Sequence, residues 1–482
     1  MMNVSSSVNL MWFRRDLRTF DNKALYAACD AGVPVIALYV ATPKQWKLHN
    51  NAGIQVDLIQ RRLKVLEKEL EHLNIPLLVE SVATYNDVPS LFASLIEKYQ
   101  IKHVFCNNEF SWNERQRDHM VANQLNAKQV LFSGFDDDCA LIPNSIVTQH
   151  GDPYKVFTPF KNTWLKEFDN HPLCLIKPKA LPFNQVTRSL VDSSNEFISF
   201  DYSEDDSSGW DVETDIIHDK LSDFCKEKLF YYKEQREEPS IDGTSGLSPY
   251  LTIGALSIRQ CMNAIRNATQ GANFQQKENV STWLNELIWR EFYRHLMIAY
   301  PRVSKGYSFH SWAENIEWNN NPDWFLRWKK GETGYPIVDA AMRQLEKTGW
   351  MHNRLRMIVA SFLTKDLLLP WQLGEAWFMS KLIDGDHPSN NGGWQWSAST
   401  GTDAQPYFRI FNPTVQGQRF DLEGKYIRRW VKELREVPDK YIHTPDKWVH
   451  FDDLNYPKPI VEHKQARLLA IEVFKKAKGE IA

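Results

Sequence analysis

The 482-residue sequence is short of several things, and each shortage closes off a class of protein. No apolar run reaches membrane-spanning length, and Arg14 and Arg15 arrive too early for a signal peptide, so a cytoplasmic protein without a membrane partner is expected. The six cysteines (29, 106, 139, 174, 225 and 261) show no CxxC spacing, and the 14 histidines include no HExxH or HxxxH pair. Reduced, mostly buried thiols and no metal site are the expectation. No GxGxxG opens a helix, which argues against an ordinary dinucleotide site in the first half. No Ser/His/Asp or Cys/His arrangement stands out either, so the reactive group is expected to be a bound cofactor rather than a side chain. The net charge of −3 argues against a generally nucleic-acid-binding surface. Its distribution is uneven, with 22 basic and 29 acidic side chains in 1–220 but 35 and 31 in 221–482, which permits a local phosphate-binding patch in the second half.

What is abundant is tryptophan: of 18 in the chain, 11 fall between Trp283 and Trp396. A chain of this length is expected to form two domains. Short β-branched runs at 8–14, 33–41, 75–81 and 103–108 alternate with helical stretches, which argues for a doubly wound, parallel, Rossmann-like α/β sheet over 7–135. Ligands of such sheets sit beyond the strand C-termini, which singles out the loops 42–46 and 107–118. An interdomain connector is expected over 136–220, where ten acids face one lysine in 191–220. From 221 to 482 the pattern is helical. The sharpest helix, STWLNELIWREFYRHLMIAY, is expected from a Ser281 cap to a Pro301 stop, with Glu286, Trp289 and Tyr293 on one face and Leu284, Leu287, Ile288 and Phe292 on another. A second, over 350–369, sets Asn353, Arg356 and Met357 together. The segment after Asp384 has no apolar period and reads as loop or very short helices, yet it carries Trp394, Trp396, Tyr407, Phe408 and Phe411.

Aromatic platforms with amides and arginines suit a planar ligand, and a nucleobase, a flavin and a sugar all qualify. Asp384 and Asp386 have three readings: a metal pair, loop caps, or partners for a ribose and an arginine. Thr244–Ser248 offers hydroxyls and backbone amides in a row, as a phosphate cradle would.

WFRRDLRTFDN, TSGLSPYL, WLNELIWREFYRHL, GYPIVDAAMRQL, WMHNRLRM, DGD, NNGGWQWSASTGTDAQPYFRIFNP and PIVEHKQAR, in that order, resemble the photolyase/cryptochrome family, in particular the bacterial, folate-type class I cyclobutane pyrimidine dimer photolyases. The resemblance implies an all-helical C-terminal domain holding FAD, and light-driven electron transfer to a pyrimidine dimer flipped out of damaged DNA. It implies FAD contacts at Tyr232, Thr244, Ser245, Gly246, Leu247, Ser248, Trp283, Glu286, Arg290, Asn353, Arg356, Asp384, Gly385, Asp386 and Asn390. It gives catalytic roles to Glu286, Trp289, Asn353, Met357 and Trp396, and electron hopping to Trp312, Trp371 and Trp394. DNA contacts fall on Glu286, Trp289, Arg290, Tyr293, Asn353, Arg354 and Trp396. Glu286 is expected to hydrogen-bond the thymine edge. Asn113, Glu114 and Lys305 match contacts of a methenyltetrahydrofolate antenna, with a deazaflavin as the alternative. The rival within the family is a cryptochrome-type photoreceptor without repair activity; Asn390 and the short tail after PIVEHKQAR argue against it. A monomer is expected.

Overall fold

The computed structural model describes residues 7–171, 173–184, 188, 199–203 and 205–480. Part of the acidic stretch 191–220 therefore lies outside the described residues.

Five parallel strands, β1 (Val8–Phe13), β2 (Val35–Ala41), β3 (Leu77–Ser81), β4 (Ile101–Asn107) and β5 (Leu131–Phe135), form one sheet in the order β3-β2-β1-β4-β5. All six residues of β1 are buried, because helices cover both faces of a parallel sheet and a central strand has no polar side. β5 was not among the expected strands. It lies at the sheet edge with Leu131 64 % exposed, and its five residues, LFSGF, carry no alternation for a sequence reading to detect. The core on one side of the sheet joins Trp12 and Phe92, whose rings meet edge-on at 4.8 Å, with Leu38, Tyr99 and Val121.

Contacts divide the chain into two compact units: Met1–Tyr154, Thr158–Glu227 and Ser245–Ala299 in the first, and Lys155–Phe157, Lys228–Thr244 and Tyr300–Ala482 in the second. The helical stretch 245–299 thus belongs with the sheet. Arg18 donates to the Gly254 carbonyl at 3.0 Å, and Arg259 donates to Asp137 at 2.6 Å and Asp21 at 3.2 Å. Gly254 sits at φ +72°, and a Cβ there would collide with the main chain of Arg15 and Asp16, so only glycine allows this approach.

Three helix expectations need correction. The long helix runs Phe274–Ala299, so Ser281 lies inside it and is not a cap; polar residues at 275–279 hide its first two turns. The second runs Asn353–Ser361 and continues into a π-turn, Phe362–Asp366, before Trp371–Met379 begins a new helix at the Pro370 break. The third is a 12-residue helix, His387–Ala398, where loop or very short helices were expected. Among the described residues, no helix is long and apolar enough to cross a membrane, and all six cysteines are free, with Cys174 alone exposed.

Candidate functional site

In the second unit the site is built outward from the Asn353–Ser361 helix. The His352 imidazole caps it, Nδ1 accepting from the Arg354 amide at 3.2 Å. Leu355, Ile358 and Val359 face the core, which leaves Asn353 exposed and Arg356 and Met357 half-buried on the other side. Burial pushes the His352 imidazole down to about 4, with Arg236, Arg354 and Arg356 adding to the effect, so it is neutral at physiological pH.

Arg356 donates through Nη2 to both oxygens of Asp384, at 3.0 and 2.8 Å, and through Nε to the Met351 carbonyl at 2.8 Å. Asp386 caps the His387–Ala398 helix, accepting from the Ser389 amide and hydroxyl. Of the readings left open for the two acids, one is an arginine partner and the other a cap. Gly385 is buried between them.

Helix 387–398 escaped the sequence reading because amides interrupt its buried face beside Trp394 and Ala398. Asn391 and Gln395 are 0 % and 2 % exposed, so the buried face shows no apolar stripe. Hydrogen bonds make that burial possible: Gln395 Nε2 donates to Asn391 Oδ1 at 2.9 Å, and the Phe309 amide donates to Gln395 Oε1 at 2.8 Å. Trp394 is 2 % exposed, edge-on to Phe378 at 5.0 Å and to Trp328 at 6.1 Å. Trp396, two residues on and about 200° around the helix, is half-buried. Asn390 donates Nδ2 to the Glu375 carbonyl at 3.0 Å. A carbonyl accepts only a donor, so the bond fixes the amide with Oδ1 pointing away.

Trp371 is 1 % exposed, its Nε1 near Ser308 Oγ at 3.4 Å, and shares one apolar cluster with Trp394. Trp312 lies in a second cluster around Phe474, with Lys478 over its ring at 5.5 Å. Trp318, which the sequence reading passed over, packs against both clusters. Arg354 is held by Glu237, which accepts from Nε at 2.7 Å and also from Nη2, while its guanidinium lies 4.6 Å over Phe420. Glu237 too went unnoticed in the sequence, since a carboxylate 117 positions from its partner leaves no local signal. Tyr232 is buried under Arg236, 5.5 Å from its ring. Lys305 is exposed at the end of a four-residue helix, and Thr244 is half-buried.

In the first unit, Glu286, Trp289 and Tyr293 are all half-buried on the long helix, with Trp289 and Tyr293 rings 5.5 Å apart. Leu287, Ile288 and Phe292 are buried as expected, and Trp283 packs on Phe224 at 4.7 Å. Arg290 is drawn onto Asp138, donating to its carboxylate and, at 2.7 Å, to its carbonyl; Arg294 shares that carboxylate. Ser245–Ser248 leads into a short helix: Gly246 adopts φ +62°, Leu247 is buried, and Ser245 Oγ lies 3.4 Å from the Leu247 amide.

Beyond the ends of the parallel strands, His49 meets Asn113 at 2.9 Å and Gln45 at 2.9 Å, and Tyr85 donates to Glu114 at 3.1 Å. The two segments singled out from the sequence thus converge, though largely as helices, Pro43–Leu48 and Trp112–Ala127, rather than as loops, and Gln45, His49 and Tyr85 join the pair already named. Cys139, Glu291 and His295 also lie together. The Glu291 carboxylate already accepts from the Ala140 amide and, at 2.6 Å, from Trp164 Nε1.

Comparison with known proteins gives two family matches along the chain. Residues 9–180 match the family model for DNA photolyase, and 283–476 match the FAD binding domain of DNA photolyase. The chain belongs to the DNA photolyase family. It is 47 % identical to the deoxyribodipyrimidine photo-lyase of Vibrio cholerae over 98 % of this chain and 100 % of that one. It is 45 % identical to that of Escherichia coli over 98 % and 99 %. A solved bacterial class III photolyase from Agrobacterium tumefaciens superposes with a TM-score of 0.82 at 31 % identity, covering 99 % of both chains.

Proposed function

We propose that the chain is a light-driven DNA repair enzyme, a deoxyribodipyrimidine photo-lyase, acting on cyclobutane pyrimidine dimers flipped out of damaged DNA. The observation that carries this reading is helix 387–398, with an enclosed indole on one side, a half-buried indole on the other, and an Asn390 amide whose Nδ2 is committed to the Glu375 carbonyl. The donor set suits FAD. Asn390 Oδ1 would be an acceptor for the cofactor, the Arg356–Asp384 pair would offer it charge of both signs, and hydroxyls at 244–248 would suit its diphosphate. Gly385 and Asp386 shape the same wall, and Tyr232, Trp283 and Asn353 complete the contacts. When bound and reduced, FAD supplies the light-excited electron that opens the cyclobutane ring.

The protein's own groups do the rest. Trp289 and Trp396 stack on the flipped dimer, Glu286 hydrogen-bonds its edge, and Asn353 and Met357 border it. Tyr293 extends the aromatic surface of Trp289. Arg290, engaged by Asp138, holds its helix against the connector and serves the ligands through that placement. Trp394 and Trp371 provide enclosed indoles for electron supply, continued by Trp318 or Trp312; slower flavin photoreduction in Trp318→Phe than in Trp312→Phe selects the former. Arg354 holds a phosphate beside the lesion. Because Glu237 occupies that guanidinium, Glu237→Gln is expected to tighten DNA binding about fivefold at low salt and to steepen the log–log salt slope by about 1. Titration of labelled duplex at several salt concentrations checks this.

Asn113 and Glu114, with Gln45, His49 and Tyr85, are the proposed bed of an antenna chromophore, methenyltetrahydrofolate in preference to a deazaflavin, with Lys305 as a further contact. The division of labour follows: 7–135 for the antenna, 136–220 as connector, 221–482 for FAD and DNA, in a monomeric cytoplasmic protein. One preparation tests the scheme. The purified protein is expected to carry one FAD, to show an additional near-ultraviolet band, and to restore thymines in ultraviolet-damaged duplex under blue light. Protein that takes up no flavin overturns it.

A further inference from the structure

Glu375, in the Trp371–Met379 helix, grips helix 387–398 twice. Its carbonyl accepts Asn390 Nδ2 at 3.0 Å, and its Oε1 accepts Asn391 Nδ2 at 2.8 Å. From Asn391 the bonds continue through Gln395 to the Phe309 amide. Asn391 and Gln395 are fully enclosed, whereas Glu375 and Asn390 keep some open surface, as groups lining a recess do.

Among the described residues, no ion pair joins a cation to this carboxyl. Burial pushes it up to about 7, opposed only by the Asn391 hydrogen bond. The charged groups on neighbouring elements are engaged elsewhere. Lys365 donates to the Ala398 carbonyl and Ser399, and Asp366 meets His463. Asp386 caps its own helix, and Arg356 holds Asp384. His387, in the first turn of helix 387–398, is a further titratable group on the packed helix and has partners of its own.

We propose that Glu375 is a proton-holding positioning residue for the flavin-facing wall: it takes one proton from solvent when negative charge arrives at the bound cofactor, and through Asn390 and Asn391 it keeps the amide oxygen aimed there. The proposal rests on the FAD reading above and deepens it. It explains an acid without a counter-ion beside the one amide placed to read a flavin N–H, where a permanent carboxylate would oppose cofactor reduction.

The test uses FAD-loaded protein and infrared difference spectra recorded on chemical reduction at pH 8. The parent is expected to gain a protonated-carboxyl band. Glu375→Gln, which still accepts from Asn391, is expected to lose that band and retain FAD; His387→Gln is expected to keep both. Glu375→Gln is also expected to melt higher than the parent at pH 8 and alike at pH 5. The raised carboxyl weakens the fold once it must ionise, a penalty that is absent below its unfolded value and complete above its folded one. A band that persists in Glu375→Gln, or is missing from the parent, overturns the proposal while leaving the FAD reading intact. Failure of the parent to bind FAD defeats the reading beneath it.

Discussion

Replacing Arg356 by alanine is expected to release FAD and to lower stability by about 2 kcal/mol. Asp384 has 4 % of its side chain exposed and takes both its arginine bonds from one guanidinium nitrogen. Without that partner an enclosed carboxylate is left charged, and the Met351 carbonyl loses its donor at 2.8 Å. Breaking a fully buried pair costs ~3–5 kcal/mol, but the Arg356 side chain is 25 % exposed, so water recovers part of the loss. Arg356→Lys should fall between, since an ammonium on a flexible stem does not reproduce the planar fork that serves Asp384 and Met351 together. Flavin absorbance after gel filtration and a thermal melt read the two effects separately. Full flavin retention by Arg356→Ala would remove the pair from the cofactor's wall and leave it a structural bond alone.

The sequence carried those elements whose burial is apolar. β1, β2, β3 and β4 were legible because each carries a run of buried apolar side chains, and the core face of the long helix because Leu287, Ile288 and Phe292 recur at helical spacing. Helix 387–398 was illegible for the opposite reason. Its inward face mixes Trp394 and Ala398 with Asn391 and Gln395, and partners at Glu375 and Phe309 make those amides stable inside. An apolar-period test cannot detect a helix buried by hydrogen bonds. Trp394 and Trp396 point to different sides without any irregular backbone, because a regular helix turns about 200° in two residues. Helical spacing and composition had already singled out Glu286, Trp289, Tyr293, Asn353, Arg356, Met357, Trp394 and Trp396, and the motif resemblance gave them roles. What the resemblance did not supply were the long-range partners: Glu237 on Arg354, Asp138 on Arg290, Glu375 beneath Asn390. Each joins residues distant in the chain by a polar contact, and no local spacing encodes such a pair.

Glycine 374 yields the second large effect, and it ties packing to electron supply. In the Trp371–Met379 helix its missing side chain is the space occupied by the Trp394 ring; an added Cβ would overlap that ring and come within 2.7 Å of Leu363 Cδ2. Gly374→Ala gains about 1 kcal/mol of helix propensity, but overpacking costs ~1–3 kcal/mol and Gly374→Val more, because both neighbours are fully enclosed. The ring can yield only by leaving its seat between Phe378 and Trp328. Gly374→Val is therefore expected to be destabilised by roughly 3 kcal/mol and to slow flavin photoreduction as severely as Trp394→Phe does. In both variants, repair by chemically prereduced protein should be much less affected, since Trp396 lies on the other side of its helix. The decisive comparison is Gly374→Ala with Trp394→Phe in one chain. The smaller ring leaves room for the new methyl group, so the double variant should be more stable than the sum of the single effects predicts. Additive losses would mean that the methyl group is resisted by Leu363 or the backbone instead, and that Trp394 keeps its place without help from the glycine.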